Sequence, residues 1–161
     1  MQKSTLETDF SYRLFGSKKS RLIDTKVSEK FATPFLLMLR AAKAAKEFLD
    51  KARADSVTIF IGKGKNGEDG LCLAALLKVD NVKTNVIDLC YKKRSETHAY
   101  RFCLNLGINI NKFNMNKIPK ADWYIDAIFG IGLNRNLKGD YLKAVNFLQR
   151  SETKKVLSLD L

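Results

Sequence analysis

Histidine is all but missing from this chain, with His98 the only one, and cysteine is scarce, with three residues at 72, 90 and 103. No Cys-x-x-Cys pair occurs. These absences exclude a zinc ribbon and a disulfide-stapled scaffold. Cys72, Cys90 and Cys103 stand in apolar contexts and read as reduced core residues. No apolar run approaches the roughly 20 residues that span a bilayer. The opening MQKSTLETDF lacks the basic-then-apolar order of a secretory signal. The expectation is a cytoplasmic chain with no membrane partner.

Acidic residues are also short, 17 against 29 Lys plus Arg, which leaves a net charge of +12. Such an excess can attract nucleic acid, an anionic membrane or a polyanionic ligand. The basic residues are spread out, however, and aromatics do not alternate with them. A lysine-rich solvated surface is the preferred reading, and nucleic acid the less favoured partner. The length, 161 residues, and the apolar share, 45%, suit one globular domain with a real core.

What is present is concentrated in Val57 to Leu77, VTIFIGKGKNGEDGLCLAALL. A five-residue β-prone run, Val57 to Ile61, breaks at Gly62. Glycines follow at 64, 67 and 70, and an apolar helix is expected from Asp69, with Asp69 available as its N-cap. A strand feeding a helix through glycines gathers backbone N–H groups where an anion such as a pyrophosphate binds. Gly62, Gly64 and Gly67 fit G-x-G-x-x-G, but only Asp88 could serve as the acidic residue that should follow. The loop ends Glu68-Asp69-Gly70, not Gly-Lys-Ser/Thr, so it is no P-loop. The polar cluster Asn66, Glu68 and Asp69 sets it apart from an ordinary dinucleotide turn.

The rest of the chain supplies alternating elements. A helix is expected from Val27 to Ala54, with Thr33-Pro34 as a start signal. Thr84 to Leu89 reads as a second strand. A helix capped by Ser95 runs to Leu106 and stops at Gly107. Ile108 to Met115 alternates as a short edge strand. Asp122 to Phe129 reads as a buried strand with Asp126 near its end, where open α/β sheets bind ligands. A helix at 140–150 and a last strand from Lys155 to Leu161 complete a three-layer, Rossmann-like α/β fold with a mainly parallel sheet flanked by helices. Asn66 with Asp69, Asp126 and Asp160 then share one edge of the sheet. Two carboxylates and an amide oxygen there make a plausible site for a hard cation.

At these residues the chain resembles the YjeF N-terminal domain family, the epimerases of hydrated NAD(P)H. Gly62 to Gly70 is similar to the family's G-x-G-N-N-G-G-D-G loop, with Lys65 and Glu68 departing from it. Asp126-Ala127-Ile128-Phe129-Gly130-Ile131-Gly132-Leu133 resembles D-A-L-F-G-T-G-L. Asn134 to Gly139 continues the likeness to R-x-L-x-G. Val156 to Leu161 resembles V-L-A-I-D-I-P-S-G, and the sequence stops just before the Pro-Ser-Gly. The likeness covers residues 22–161, read as one such domain truncated at its C-terminus, behind an extension at 1–21.

The resemblance implies interconversion of the S and R epimers of NADHX and NADPHX. It implies potassium held by Asn66 and Asp126. It implies a hydrated dinucleotide held by Lys65, Asn66, Gly67, Glu68 and Asp69, and by Gly130, Ile131, Gly132, Leu133, Asn134, Arg135 and Asn136. Asp160 would act at the hydrated ring. Family members are often homodimers, and Phe10, Tyr12, Leu14 and Phe15 could serve such an interface. The alternative is a catalytically weakened relative acting as a nucleotide- or RNA-binding scaffold. The net charge, Lys65 and Glu68 favour it, whereas Asn66, Asp69, Asp126 and Asp160 favour the enzyme.

Overall fold

The computed structural model describes residues 34–91, 97–130, 133, 136–150 and 155–159. Its elements alternate: α1 Pro34–Lys51, β1 Ser56–Ile61, α2 Lys65–Val79, β2 Lys83–Asp88, α3 His98–Asn105, β3 Asn109–Lys112, β4 Trp123–Ala127, α4 Gly139–Gln149 and β5 Lys155–Ser158. The five strands form one sheet in the order β3-β2-β1-β4-β5. All four pairings are parallel, with Ile59 of β1 opposite both Val86 of β2 and Ile125 of β4. The three-layer α/β fold read from the sequence is therefore present.

The sheet has an apolar core on each face. On one, Ile59, Ile61, Ile125 and Ala127 pack beneath α1, α2 and α3. On the other, Phe60, Tyr124, Ile87 and Ile128 meet Ala144 and Leu148 of α4. The second core is largely aromatic. Phe60 lies 5.7 Å from Phe147 and 6.4 Å from Tyr124, ring centre to ring centre. Alternation along β1 and β4 assigns their side chains to the two faces.

Helix α2 is central. Leu71, Cys72, Leu73, Ala74, Ala75 and Leu77 are all buried, so it is apolar nearly all round, as a helix enclosed on several sides must be. The Lys46 ammonium of α1 joins Asp50 at 2.7 Å and also Asp80, just past α2. Burial pushes the Cys72 and Cys103 thiols up to about 12, and the Cys103 thiol donates to Leu71 O at 3.1 Å. These two are core residues, as expected. Cys90 is not: it is half-buried beside Tyr141.

Several boundaries differ from expectation. Helix α2 starts at Lys65, not Asp69, and Gly64 is its N-cap, with no side-chain cap. The polar cluster that read as loop thus forms the first turn of the helix, and Asp69 lies inside the helix and is not its N-cap. Glycine at 67 and 70 suggests a loop by propensity, but close packing is what requires it here. Thr97 caps α3 by accepting from Tyr100 N, and Ser95 lies outside the described residues. Gly107 closes α3 with φ +67°, as a C′ glycine should. The part of the first expected helix before Pro34 also lies outside them.

The chain runs outward from β1 to β2 and β3, then returns to β4 on the other side of β1. That reversal opens a crevice beyond the carboxyl ends of β1 and β4, the usual ligand position in open α/β sheets.

Candidate functional site

Everything at the crevice follows from close approach of backbones. A Cβ on Gly62 would lie 1.9 Å from Ile128 O, and one on Gly67 would lie 2.1 Å from Gly62 O. One on Gly70 would lie 2.7 Å from Ala127 Cβ and 3.0 Å from Ile61 Cγ2. Gly67 and Gly70 therefore let α2 sit directly on β4 and the end of β1, and Gly62 lets the turn after β1 meet the backbone after β4. Gly64 differs, since a Cβ there would meet nothing within 4 Å. Its φ is −83°, open to any residue. The fold does not need a glycine at 64, which leaves open space for a ligand's backbone approach.

The seated helix carries Asn66 into the crevice. Asn66 is 3% exposed. Its Nδ2 donates to Phe129 O at 2.7 Å and to Leu159 O at 3.0 Å. Two carbonyl neighbours fix which end of the amide is the donor. Its Oδ1 is then left buried without a hydrogen-bond partner. An orphaned buried acceptor costs about 1–3 kcal/mol, so the position calls for a donor or a cation.

Asp126 lies at the same edge. Leu159 links the two, accepting from Asn66 through its carbonyl and donating its N–H to Asp126 O at 2.9 Å. The Asp126 carboxylate is half-buried and accepts from Ile128 N at 3.0 Å. Burial raises its pKa above the ordinary 3.8, and the Ile128 N–H works in the opposite direction. The partly desolvated Asp126 carboxylate and the orphaned Asn66 amide oxygen, both at this edge of the sheet, are hard oxygen donors. That donor set fits an alkali or alkaline-earth cation and not zinc. Among the described residues no group of three His, Cys, Asp or Glu side chains could hold a metal ion.

The remaining expected positions divide. Lys65 is exposed at the first turn of α2. Glu68 Oε2 accepts from Thr97 Oγ1 at 2.5 Å, which fastens α2 to the start of α3. Asp69 and Gly130 are half-buried, and Leu133 N donates to Gly130 O at 3.3 Å. Leu133 and Asn136 are exposed. Ile131, Gly132, Asn134, Arg135 and Asp160 lie outside the described residues, as do Phe10, Tyr12, Leu14 and Phe15. Asp88, the one candidate for a ribose-binding acid, is fully buried and accepts from Cys90 N at 2.7 Å. It caps its own turn.

Residues 35–161 match the family described as YjeF-related protein N-terminus. The chain belongs to that family. A Lentilactobacillus buchneri relative named NAD(P)H-hydrate epimerase is 31% identical over 150 residues, covering 89% of this chain and 69% of the relative. A Pirellula staleyi protein of the same name is 27% identical and covers 92% and 71%. The bifunctional NAD(P)H-hydrate repair enzyme of Archaeoglobus fulgidus is 31% identical, over 88% of this chain but 30% of its own length. The crystal structure of the yeast protein ynu0 superposes with a TM-score of 0.78 at 21% identity, over 92% of this chain and 70% of that one. The yeast structure supports the fold. Among the described residues no helix is long and apolar enough to cross a membrane.

Asp122 escaped the sequence reading. Its Oδ2 accepts from Ser56 N at 2.9 Å and Asp55 N at 3.1 Å, closing the other end of β1 against β4. The Ser56 side chain, chiefly, holds its carboxyl below the ordinary range, with the backbone N–H groups of Ser56 and Asp55 adding to it. An Asp just before a strand carries no signal that separates this role from an ordinary turn.

Proposed function

We propose that this chain is an NAD(P)H-hydrate epimerase, interconverting the S and R forms of hydrated NADH and NADPH. The observation that carries the reading is the orphaned Oδ1 of Asn66, buried at the same edge of the sheet as Asp126. Buried polar atoms normally have a partner, and this unpaired amide oxygen lies at the sheet edge where open α/β folds bind ligands. Membership of the family supports the same conclusion, because its relatives in Lentilactobacillus and Pirellula carry that name.

In this reading Asn66 Oδ1 and the Asp126 carboxylate hold potassium. The ion would supply positive charge beside the bound dinucleotide. The first turn of α2, residues Lys65 to Asp69, faces the pyrophosphate with backbone N–H groups and the Lys65 ammonium. By its likeness to the family motif, the segment Gly130 to Asn136 would also bind the dinucleotide. Asp160 follows Leu159, whose backbone meets both Asn66 and Asp126. That neighbourhood suits a carboxylate which moves a proton at the hydrated ring or holds the ring in place. The expected homodimer belongs to the same proposal, and light scattering tests it.

The experiment is epimerisation. Purified R-NADHX is incubated with the chain in potassium buffer, and both epimers are followed by chromatography against buffer alone. A rate above background that Asp126→Asn abolishes supports the reading. A rate equal to buffer alone, from folded protein, refutes it.

A further inference from the structure

We propose that Glu68 and Thr97 form a positioning pair, which holds the first turn of α2, and Asn66 with it, in the conformation that receives the dinucleotide. This rests on the epimerase reading and adds to it two residues that act without touching the ligand. Thr97 lies in none of the segments that resemble the family motifs, and Glu68 stands where the family loop has glycine.

The first turn of α2 is weak by composition. Its N-cap is Gly64, with no side-chain cap. Gly67 and Gly70 fall within its first six residues, and glycine is a poor helix former. The opening N–H groups of a helix have no partner inside it, and helix ends fray. Such a turn needs attachments from outside. On one side Asn66 Nδ2 reaches Phe129 O and Leu159 O. On the other, Thr97 Oγ1 donates to Glu68 Oε2 at 2.5 Å, the length of a hydroxyl-to-carboxylate bond. The two attachments brace the turn between them.

Thr97 is a firm anchor. Its Oγ1 also accepts from Tyr100 N at 3.3 Å, as the N-cap of α3. A hydroxyl carries one hydrogen, so the capping bond leaves that hydrogen for Glu68. Helix α3 is itself fixed. Its Ala99 and Cys103 are buried, and Cys103 Sγ donates to Leu71 O, further along α2. Glu68 thus ties the weakest turn of α2 to a well-packed neighbour.

Charge supplies a test of sign. Glu68 is an acid in the turn proposed to meet a pyrophosphate. By charge alone it opposes an anionic ligand, and removing it should tighten binding. As a positioning residue it helps, and removing it should weaken binding.

ADP-ribose is the probe, because it carries the pyrophosphate and binds without turnover. Its affinity is measured by calorimetry, and amide hydrogen exchange is measured on the ligand-free chain. Glu68→Ala should weaken ADP-ribose binding roughly 3- to 10-fold, by lowering the share of chains ready to bind. It should also speed exchange of the amides at 68–70 and leave those at 73–77 as in wild type. Glu68→Gln loses the charge but keeps an acceptor for Thr97, and should bind within about twofold of wild type. Thr97→Asp keeps a capping oxygen but has no hydrogen to donate, and should speed the same amides. Thr97→Ser keeps both bonds and should match wild type. Unchanged or tighter binding in Glu68→Ala overturns the proposal, as does unchanged exchange at 68–70. Should Glu68→Ala fail to fold, exchange in Thr97→Asp decides in its place. Absence of ADP-ribose binding by wild type also overturns the proposal. Weakened binding in Glu68→Ala without any epimerisation by wild type supports the pair and refutes the epimerase reading alone. Epimerisation with the same KM in wild type and Glu68→Ala refutes the pair and leaves the epimerase reading standing.

Discussion

Gly67→Ala tests the seat of α2 directly. The new Cβ would lie 2.1 Å from Gly62 O, against an ordinary contact of about 3.4 Å. Neither partner can give way by rotating a side chain, since the clash is with backbone. The first turn of α2 has to retreat by about 1 Å. Asn66 is the adjacent residue, and its bonds to Phe129 O and Leu159 O start at 2.7 and 3.0 Å. A displacement of that size carries both to or past the limit of about 3.5 Å. Losing two hydrogen bonds and stranding a buried donor costs about 3–4 kcal/mol. The higher helix preference of alanine returns about 1. The net expectation is about 2–3 kcal/mol, or a Tm lower by roughly 5–10 °C for a domain of this size. Thermal and urea denaturation measure it. Gly64→Ser is the control, because a Cβ there meets nothing and serine caps helices well. A Gly67→Ala Tm within about 2 °C of wild type would refute the packing account of the motif.

The same control carries a second prediction: Gly64→Ser keeps or gains stability yet, where the start of α2 receives the pyrophosphate as proposed, weakens NADHX binding, read as a higher KM. Asn66→Leu should destabilise by about 2–3 kcal/mol, since two carbonyls lose their donor, and urea unfolding measures it. Asp126→Asn should raise Tm at neutral pH in potassium-free buffer and remove any Tm gain from potassium. The sign follows from a folded pKa raised above 3.8: the fold holds that proton more tightly, so stability falls as pH rises from about 3.8 through the folded value. Asp122 has the opposite sign, with its pKa lowered. Its contribution is present above the unfolded value and disappears as pH falls through the folded one, so the Tm gap between wild type and Asp122→Ala should close in acid.

Most of the fold was legible because strand and helix periods differ so clearly. Val57 to Ile61 and Trp123 to Ala127 are short apolar runs bounded by Asp, Ser or Gly, and both are strands. The order of the motifs placed Asn66 and Asp126 at one edge of the sheet, and the hydrogen bonds through Leu159 bring them together there. The start of α2 was not legible. Propensity reads Gly67 and Gly70 as loop, whereas tertiary packing makes them the residues that let a helix rest on β1 and β4. The Asp122 clamp and the Cys90–Tyr141 tie were hidden for another reason. Each joins residues 51 or more positions apart, and no local pattern announces such a pair.

The geometry of α2 also bears on the two departures from the family loop. At 100° per residue, positions 66 and 68 point to opposite sides of a helix. Asn66 reaches the backbone beyond β4 and β5, while Glu68 reaches Thr97, beyond β2. A carboxylate directed towards α3 does not compete for the crevice that Asn66 faces. Glu68 is thus a fastening between helices, and the departure at that position leaves the side that carries Asn66 unchanged. Lys65 is exposed one residue before Asn66, where a positive charge meets an incoming pyrophosphate favourably. Both departures are compatible with binding a dinucleotide. The argument for a degenerate scaffold then rests on net charge alone, and the basic residues behind it are spread along the sequence.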